Sequence, residues 1–88
     1  MEFSENLTFY RGDDFFKVVK IYDTFIDIEH TINGVQGSTN KINTVKMLIK
    51  IIKEKWKIKN ELDGKEKIQI FEDIHRIINE RYSQTTPK

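Results

Sequence analysis

Residues 44–62, TVKMLIKIIKEKWKIKNEL, constrain the fold more than any other stretch of this chain. They read as one helix with two unlike faces. At about 100° per residue, Val45, Met47, Leu48, Ile49, Ile51, Ile52, Trp56, Ile58 and Leu62 spread over an apolar arc of roughly 200°. Lys46, Lys50, Lys53 and Lys57 fall on the opposite side, at i, i+4, i+7 and i+11. A surface helix meets its core with a stripe of only ~100°. The wider arc therefore predicts that the Met47, Ile51, Ile58 and Leu62 stripe is shared between a second helix and a contact outside the chain, a homodimer or another partner. The lysines predict a positively charged ridge.

The second helix is expected from about Lys65 to Tyr82. Ile68, Ile70, Phe71, Ile74, Ile77, Ile78 and Tyr82 form its apolar side. Asn43 or Thr44 suits the N-cap of the first helix. Asp63 with Glu66 resembles a capping box for the second, and Gly64 suits a left-handed stop after the first. Residues 44–82 thus read as a helical hairpin, and residues 83–88 as a polar tail that frays.

Residues 6–42 read as an antiparallel meander. Leu7–Arg11 is a short strand, and Gly12-Asp13-Asp14 is a turn. Phe15–Tyr22 is rich in aromatic and β-branched residues, with Phe16/Val18/Tyr22 on one face and Phe15/Val19/Ile21 on the other. Asp23-Thr24 closes a hairpin. Phe25–Ile32 alternates, with Ile26, Ile28 and Ile32 facing inward and Asp27, Glu29 and Thr31 facing water. Asn33-Gly34 is a type I′ hairpin signal. The return stretch, Val35–Ile42, is either a bulged edge strand or an ordered loop. The class is α+β: three or four N-terminal antiparallel strands packed against two C-terminal helices, in one domain spanning 1–88.

Composition limits the chemistry. The chain has no cysteine, which removes disulfides and thiolate catalysis. The first residues lack the basic and apolar regions of a secretory signal, and no apolar run reaches the ~20 residues of a membrane span. A cytoplasmic location is expected, with no membrane partner. Fourteen isoleucines and no alanine are not what helix propensity would select. AT-rich coding explains that usage and fits a bacterial, phage or viral source.

No residue set fits an enzyme, and no cofactor or metal is expected. His30 and His75 sit at the edges of apolar faces. His75 follows Glu72 in an ExxH spacing, but the second such motif of a bundle metal site is missing. Gly34-Val35-Gln36-Gly37-Ser38-Thr39 lacks both the spacing and the lysine of a phosphate loop.

The charge is segregated. Residues 1–43 hold four Lys/Arg against seven Asp/Glu, whereas residues 41–59 hold seven lysines and one glutamate. The expected function is that of a small non-enzymatic regulator or inhibitor acting mainly by protein–protein binding. A phage- or virus-encoded antagonist of a host system, of the anti-CRISPR type, is the specific form expected. The partner-binding candidates are Lys46, Lys50, Lys53, Lys57 and Trp56. The alternative is a nucleic-acid-binding regulator using the lysine ridge, with Phe9, Tyr10, Phe15, Phe16, Tyr22 and Phe25 as stacking surfaces where exposed.

Overall fold

Alternation in the first half builds a sheet with one apolar face, and the two helices close that face. The computed structural model describes residues 2–32 and 34–85. The order is β1 (Thr8–Arg11), β2 (Asp14–Ile21), β3 (Phe25–Ile32), β4 (Val35–Asn43), α1 (Thr44–Lys53), β5 (Lys57–Ile58) and α2 (Gly64–Thr85). All strand pairs are antiparallel, in the order β4-β3-β2-β1-β5. The α+β class is as expected. Val35–Asn43 is a strand, and a fifth strand lies between the helices.

The core joins Phe9, Phe16, Val18, Ile26, Ile28 and Ile58 from the sheet to Met47, Leu48 and Ile51 of α1 and Ile70 and Ile74 of α2. Phe3, Leu7 and Trp56 complete it. Each large side chain so buried contributes about 1.5–3 kcal/mol of transfer free energy.

Two bulges adjust the register. Val18 pairs with Ile28 and Lys20 with Asp27, so Val19 is an extra residue in β2. It resets the alternation, and Ile21, opposite Ile26, packs against the core beyond it. On the edge, Glu29 pairs with Thr39 and Thr31 with Gln36, so Gly37 and Ser38 together oppose His30. A Cβ on Gly37 would lie 3.1 Å from the His30 carbonyl oxygen, a tight fit that favours glycine there. The far end of β3 departs from expectation: Ile32 is 50% exposed and Thr31 is buried. The core ends at His30, whose ring stands edge-on to Phe16 and Trp56, so Ile32 lies beyond its cover. Asn33 of the expected turn lies outside the described residues, while Gly34 has the left-handed φ of 79° that such a turn requires.

The long helix over 44–62 does not form. Lys55 adopts φ 59° and ends α1. Its N–H donates to the Ile52 carbonyl at 3.2 Å, and the Trp56 N–H donates to the Ile51 carbonyl at 3.0 Å. That pattern is a Schellman stop with lysine where glycine is usual. The left-handed turn costs about 1–2 kcal/mol for a residue with a Cβ. Burial of Trp56 and the pairing of Ile58 with Phe9 offset it. The stop takes Trp56, Ile58 and Leu62 out of the arc, which within α1 still runs roughly 200° from Met47 to Ile49, with Val45, Ile49 and Ile52 on its far side half-buried. On α1 itself the buried residues are Thr44, Met47, Leu48 and Ile51, an ordinary single stripe. Met47, Ile51 and Ile58 are buried within the chain and Leu62 is half-buried, so the apolar surplus that suggested a homodimer is absent from this stripe.

The caps follow sequence more closely. The Asn43 side chain accepts from the Lys46 N–H, and Asp63 accepts from the Glu66 N–H at 2.8 Å. Gly64 begins α2 rather than stopping α1. The helix runs to Thr85, three residues past Tyr82; residues 86–88 of the expected tail, and the Tyr82 side chain, lie outside what is described. Ile68, expected on the apolar side, is 62% exposed, and Phe71 is only partly buried. The Phe3 N–H donates to Asp73, and Arg81 donates to the Asp23 carbonyl, tying α2 to the N-terminal segment and to the β2–β3 turn. No helix among the described residues is long and apolar enough to cross a membrane.

Candidate functional site

The stop at Lys55 divides the predicted lysine ridge. Lys46, Lys50 and Lys53 remain exposed on α1, and Lys50 and Lys53 lie in its last turn, where positive charge complements the helix dipole. Lys57 is on β5. Its neighbour Ile58 pairs with Phe9 and is buried, so alternation turns Lys57 to the opposite face of the sheet from α1. The four lysines do not share one surface.

Trp56 is only 4% exposed and belongs to the core. Its indole N–H donates to Glu54 at 2.9 Å, Arg11 pairs with Glu54 at 3.2 Å, and the Arg11 guanidinium lies 5.1 Å from the indole ring. The Trp56 hydrogen bond, aided by Lys50 and Arg11, holds the Glu54 carboxyl below its ordinary range. This cluster fixes the chain where it leaves α1.

The face of the sheet away from the helices gathers the remaining chemistry. Cross-strand partners share a face, which assigns its rows. Lys57, Tyr10, Phe15 and Thr31 form one row, from β5 to β3. Thr8, Lys17, Glu29 and Thr39 form the next. Lys20, Asp27 and Lys41 form the third. Lys59 reaches the first row, with its Nζ 4.3 Å from the Phe15 ring centroid. All five lysines of this face are exposed, against Asp27 and Glu29. The face is positive even when Asp13 at its rim is counted.

Two aromatic clusters lie on it. Tyr10, Gly12, Asp13, Phe15 and Lys59 line an open depression of about 370 Å³. At the other end, Lys41 Nζ lies 4.6 Å and Lys20 Nζ 5.6 Å from the Tyr22 ring. The Tyr22 hydroxyl donates to Asp27 at 3.1 Å. That bond, with some burial and the nearby carboxylates, pushes the hydroxyl pKa up. Phe25 is 44% exposed beside them. Of the six aromatics named as stacking candidates, Phe9 and Phe16 are core, while Tyr10, Phe15, Tyr22 and Phe25 are on or beside this face.

His30 is half-buried against Phe16 and Trp56, and His75 is exposed on α2. Among the described residues, no three His, Asp or Glu side chains converge to hold a metal ion. Compared with protein-family models, with curated proteins and with solved structures, the chain matches none.

The sequence named Lys57 for the wrong surface and gave no role to Lys17, Lys20, Lys41 or Lys59. The alternation of Tyr10, Phe15 and Lys17 with core residues was a usable signal. The contribution of Lys59 depends on β5, which a two-residue strand does not announce.

Proposed function

We propose that this protein is a small non-enzymatic regulator that binds nucleic acid on the uncovered face of its sheet. One observation carries this reading: five exposed lysines interleave with Tyr10, Phe15 and Tyr22 on a face that no helix among the described residues covers. Ammonium groups bind phosphates with release of counterions, and exposed rings offer stacking surfaces of no fixed sequence preference. The acidic total of residues 1–43 does not oppose this. Asp14 and Asp23 lie at strand ends and turns, and the Asp27 and Glu29 carboxylates on the face, with Asp13 at its rim, are outnumbered there by Lys17, Lys20, Lys41, Lys57 and Lys59.

The test is binding of labelled oligonucleotides across a salt series. Changing Lys17, Lys20, Lys41, Lys57 and Lys59 to Gln should abolish measurable binding near physiological salt. Changing Lys46, Lys50 and Lys53 to Gln should leave it close to wild type. Equal losses from the two sets, or no binding by the wild type at low salt, would overturn the reading.

A protein ligand added as a sixth strand on β4 is the second reading. It is favoured by an edge of nine residues, Val35–Asn43, of which all but Ile42 are exposed. An inhibitor of a host system, including the anti-CRISPR type, fits this form. The bulge at Gly37-Ser38 and the charge of Lys41 blunt that edge, which ranks the reading second.

A further inference from the structure

We propose that the uncovered face selects single-stranded nucleic acid, by exchanging lysine for an unstacked base on two ring platforms, Phe15 and Tyr22. This inference rests on the nucleic-acid reading above and specifies its ligand.

Without ligand, each platform carries an ammonium group over its ring: Lys59 at 4.3 Å from the Phe15 centroid, and Lys41 at 4.6 Å from that of Tyr22. Such cation–π contacts at exposed sites are weak. They nevertheless hold a phosphate-binding group beside a surface suited to a base. When a base stacks on the ring, the lysine is displaced toward the adjoining phosphate, and a weak contact is replaced by stacking plus a charge pair. One nucleotide thus satisfies both groups, which neither a free phosphate nor an apolar ligand does.

Spacing argues against a duplex. Phe15 stands opposite Thr31, while Lys20 and Lys41, the lysines over Tyr22, stand opposite Asp27. Thr31 and Asp27 are four residues apart on β3, or roughly 13 Å at ~3.3 Å per residue. Along one strand of a duplex the repeat is only ~3.4 Å, and the base faces are stacked away. Two bases can therefore lie on these rings only if the strand is single and the nucleotides between them span the middle row. Lys17 stands in that row, between Thr8 and Glu29, where it can meet a bridging phosphate.

The depression beside Phe15 gives this platform a floor and a wall. Its ~370 Å³ lies at the small end of ligand pockets, which run roughly 300–1,000 Å³. Asp13 on its rim disfavours a phosphate inside it and offers an acceptor to a base. The base then occupies the depression, and the backbone passes along Lys57 and Lys59. Tyr22 needs no such wall, because its hydroxyl is already held by Asp27 at 3.1 Å.

The experiment uses the full chain, a labelled oligothymidylate of about 12 nucleotides, and a duplex of equal length at the same salt. The wild type should bind the single strand at least ~10-fold more tightly, which is the factor a single stacked base supplies. Phe15→Leu and Tyr22→Leu should each weaken single-strand binding by roughly 5- to 150-fold and leave the salt slope unchanged. Lys59→Gln should lower that slope by about 0.7. Should either ring variant fail to fold, the wild type still decides the matter, because Phe15 and Tyr22 ring protons must shift when the oligonucleotide is added. If the five-lysine variant loses binding but both ring variants keep wild-type affinity, or the ring protons do not move, the platform inference falls and the broader reading stands. Equal affinity for duplex and single strand overturns it as well. If the wild type binds neither, both fall together.

Discussion

Phe15 and Phe16 are neighbours in β2 with the same side chain and opposite surroundings. Phe16 is fully buried, stacked on Phe9 with centroids 5.3 Å apart and edge-on to Trp56 at 5.0 Å. Phe15 is half-buried on the far side of the sheet, with a lysine ammonium over its ring. One residue of register separates a core group from a surface group. A bare composition count of aromatics merges the two, and so does a segment's net charge. What a sheet presents is set by face, and face is set by where the helices pack.

The sharpest way to break this comparison is to truncate both rings. Phe16→Ala should cost about 3–5 kcal/mol, because it leaves a cavity among Phe9, Trp56 and His30. Phe15→Ala should cost no more than about 1 kcal/mol, since much of that ring is already in water. Urea unfolding followed by tryptophan fluorescence would measure both. Equal costs would mean that the two faces are not distinct in the way described.

Much of the inner face was legible in sequence because hydrophobic alternation reports burial directly. Ile26, Ile28, Phe16 and Val18 follow from period-two patterning, and Asn43 and Asp63 follow from the needs of helix N-termini. The outer face was legible only in part. Its row at Tyr10 and Phe15 can be read once the strands are placed, but Lys57 and Lys59 join it through β5. That strand appears because α1 stops at Lys55, and neither Gly nor Pro marks the stop. The decision is tertiary: leaving the helix, Trp56 and Ile58 are both buried in the core, and Ile58 pairs with Phe9. The bulge at Val19 was equally silent, being a shift of register with no residue type that announces it.

The inner side should hold no polar atom without a partner, and Thr44 departs from that rule. Its hydroxyl is buried with no hydrogen-bond partner among the described residues. Thr44→Val keeps the shape and removes the unsatisfied oxygen. It should stabilise the fold by about 1 kcal/mol. A destabilised variant, measured by the same unfolding assay, would show that the hydroxyl is satisfied in solution.

Lys55 is where the chain leaves the helical layer and joins the sheet edge. Its positive φ costs about 1–2 kcal/mol with a lysine in place, while glycine adds about 0.5–1 kcal/mol of unfolded-state entropy. Lys55→Gly should therefore gain roughly 0.5–1 kcal/mol and leave nucleic-acid binding close to wild type, because Lys55 lies in the turn between α1 and β5 and pairs in none of the rows of the outer face. Loss of stability would restore the case for a helix continuing past Lys53.

The smallest effect belongs to Glu54, which holds Trp56 on the inner side from the surface. Its folded-state pKa lies below the ordinary carboxylate value, chiefly through the Trp56 hydrogen bond. A depressed carboxylate contributes stability that is present above the unfolded-state pKa. That contribution fades as pH falls through the folded-state value. Between neutral pH and the ordinary carboxylate range, Glu54 should thus add a constant increment, which acid below that range removes. Glu54→Gln keeps an acceptor for the indole but cannot titrate. Its stability should run slightly under wild type at neutral pH, and the two curves should converge at low pH. Arg11 supplies the complementary charge at 3.2 Å, so Arg11→Gln should reduce the same difference without moving the Trp56 emission maximum. Parallel curves for wild type and Glu54→Gln across the whole acid range would place the carboxylate outside the energetics of the Lys55 turn. That turn, and the passage of Lys57 and Lys59 to the outer face, would then depend on Trp56 burial alone.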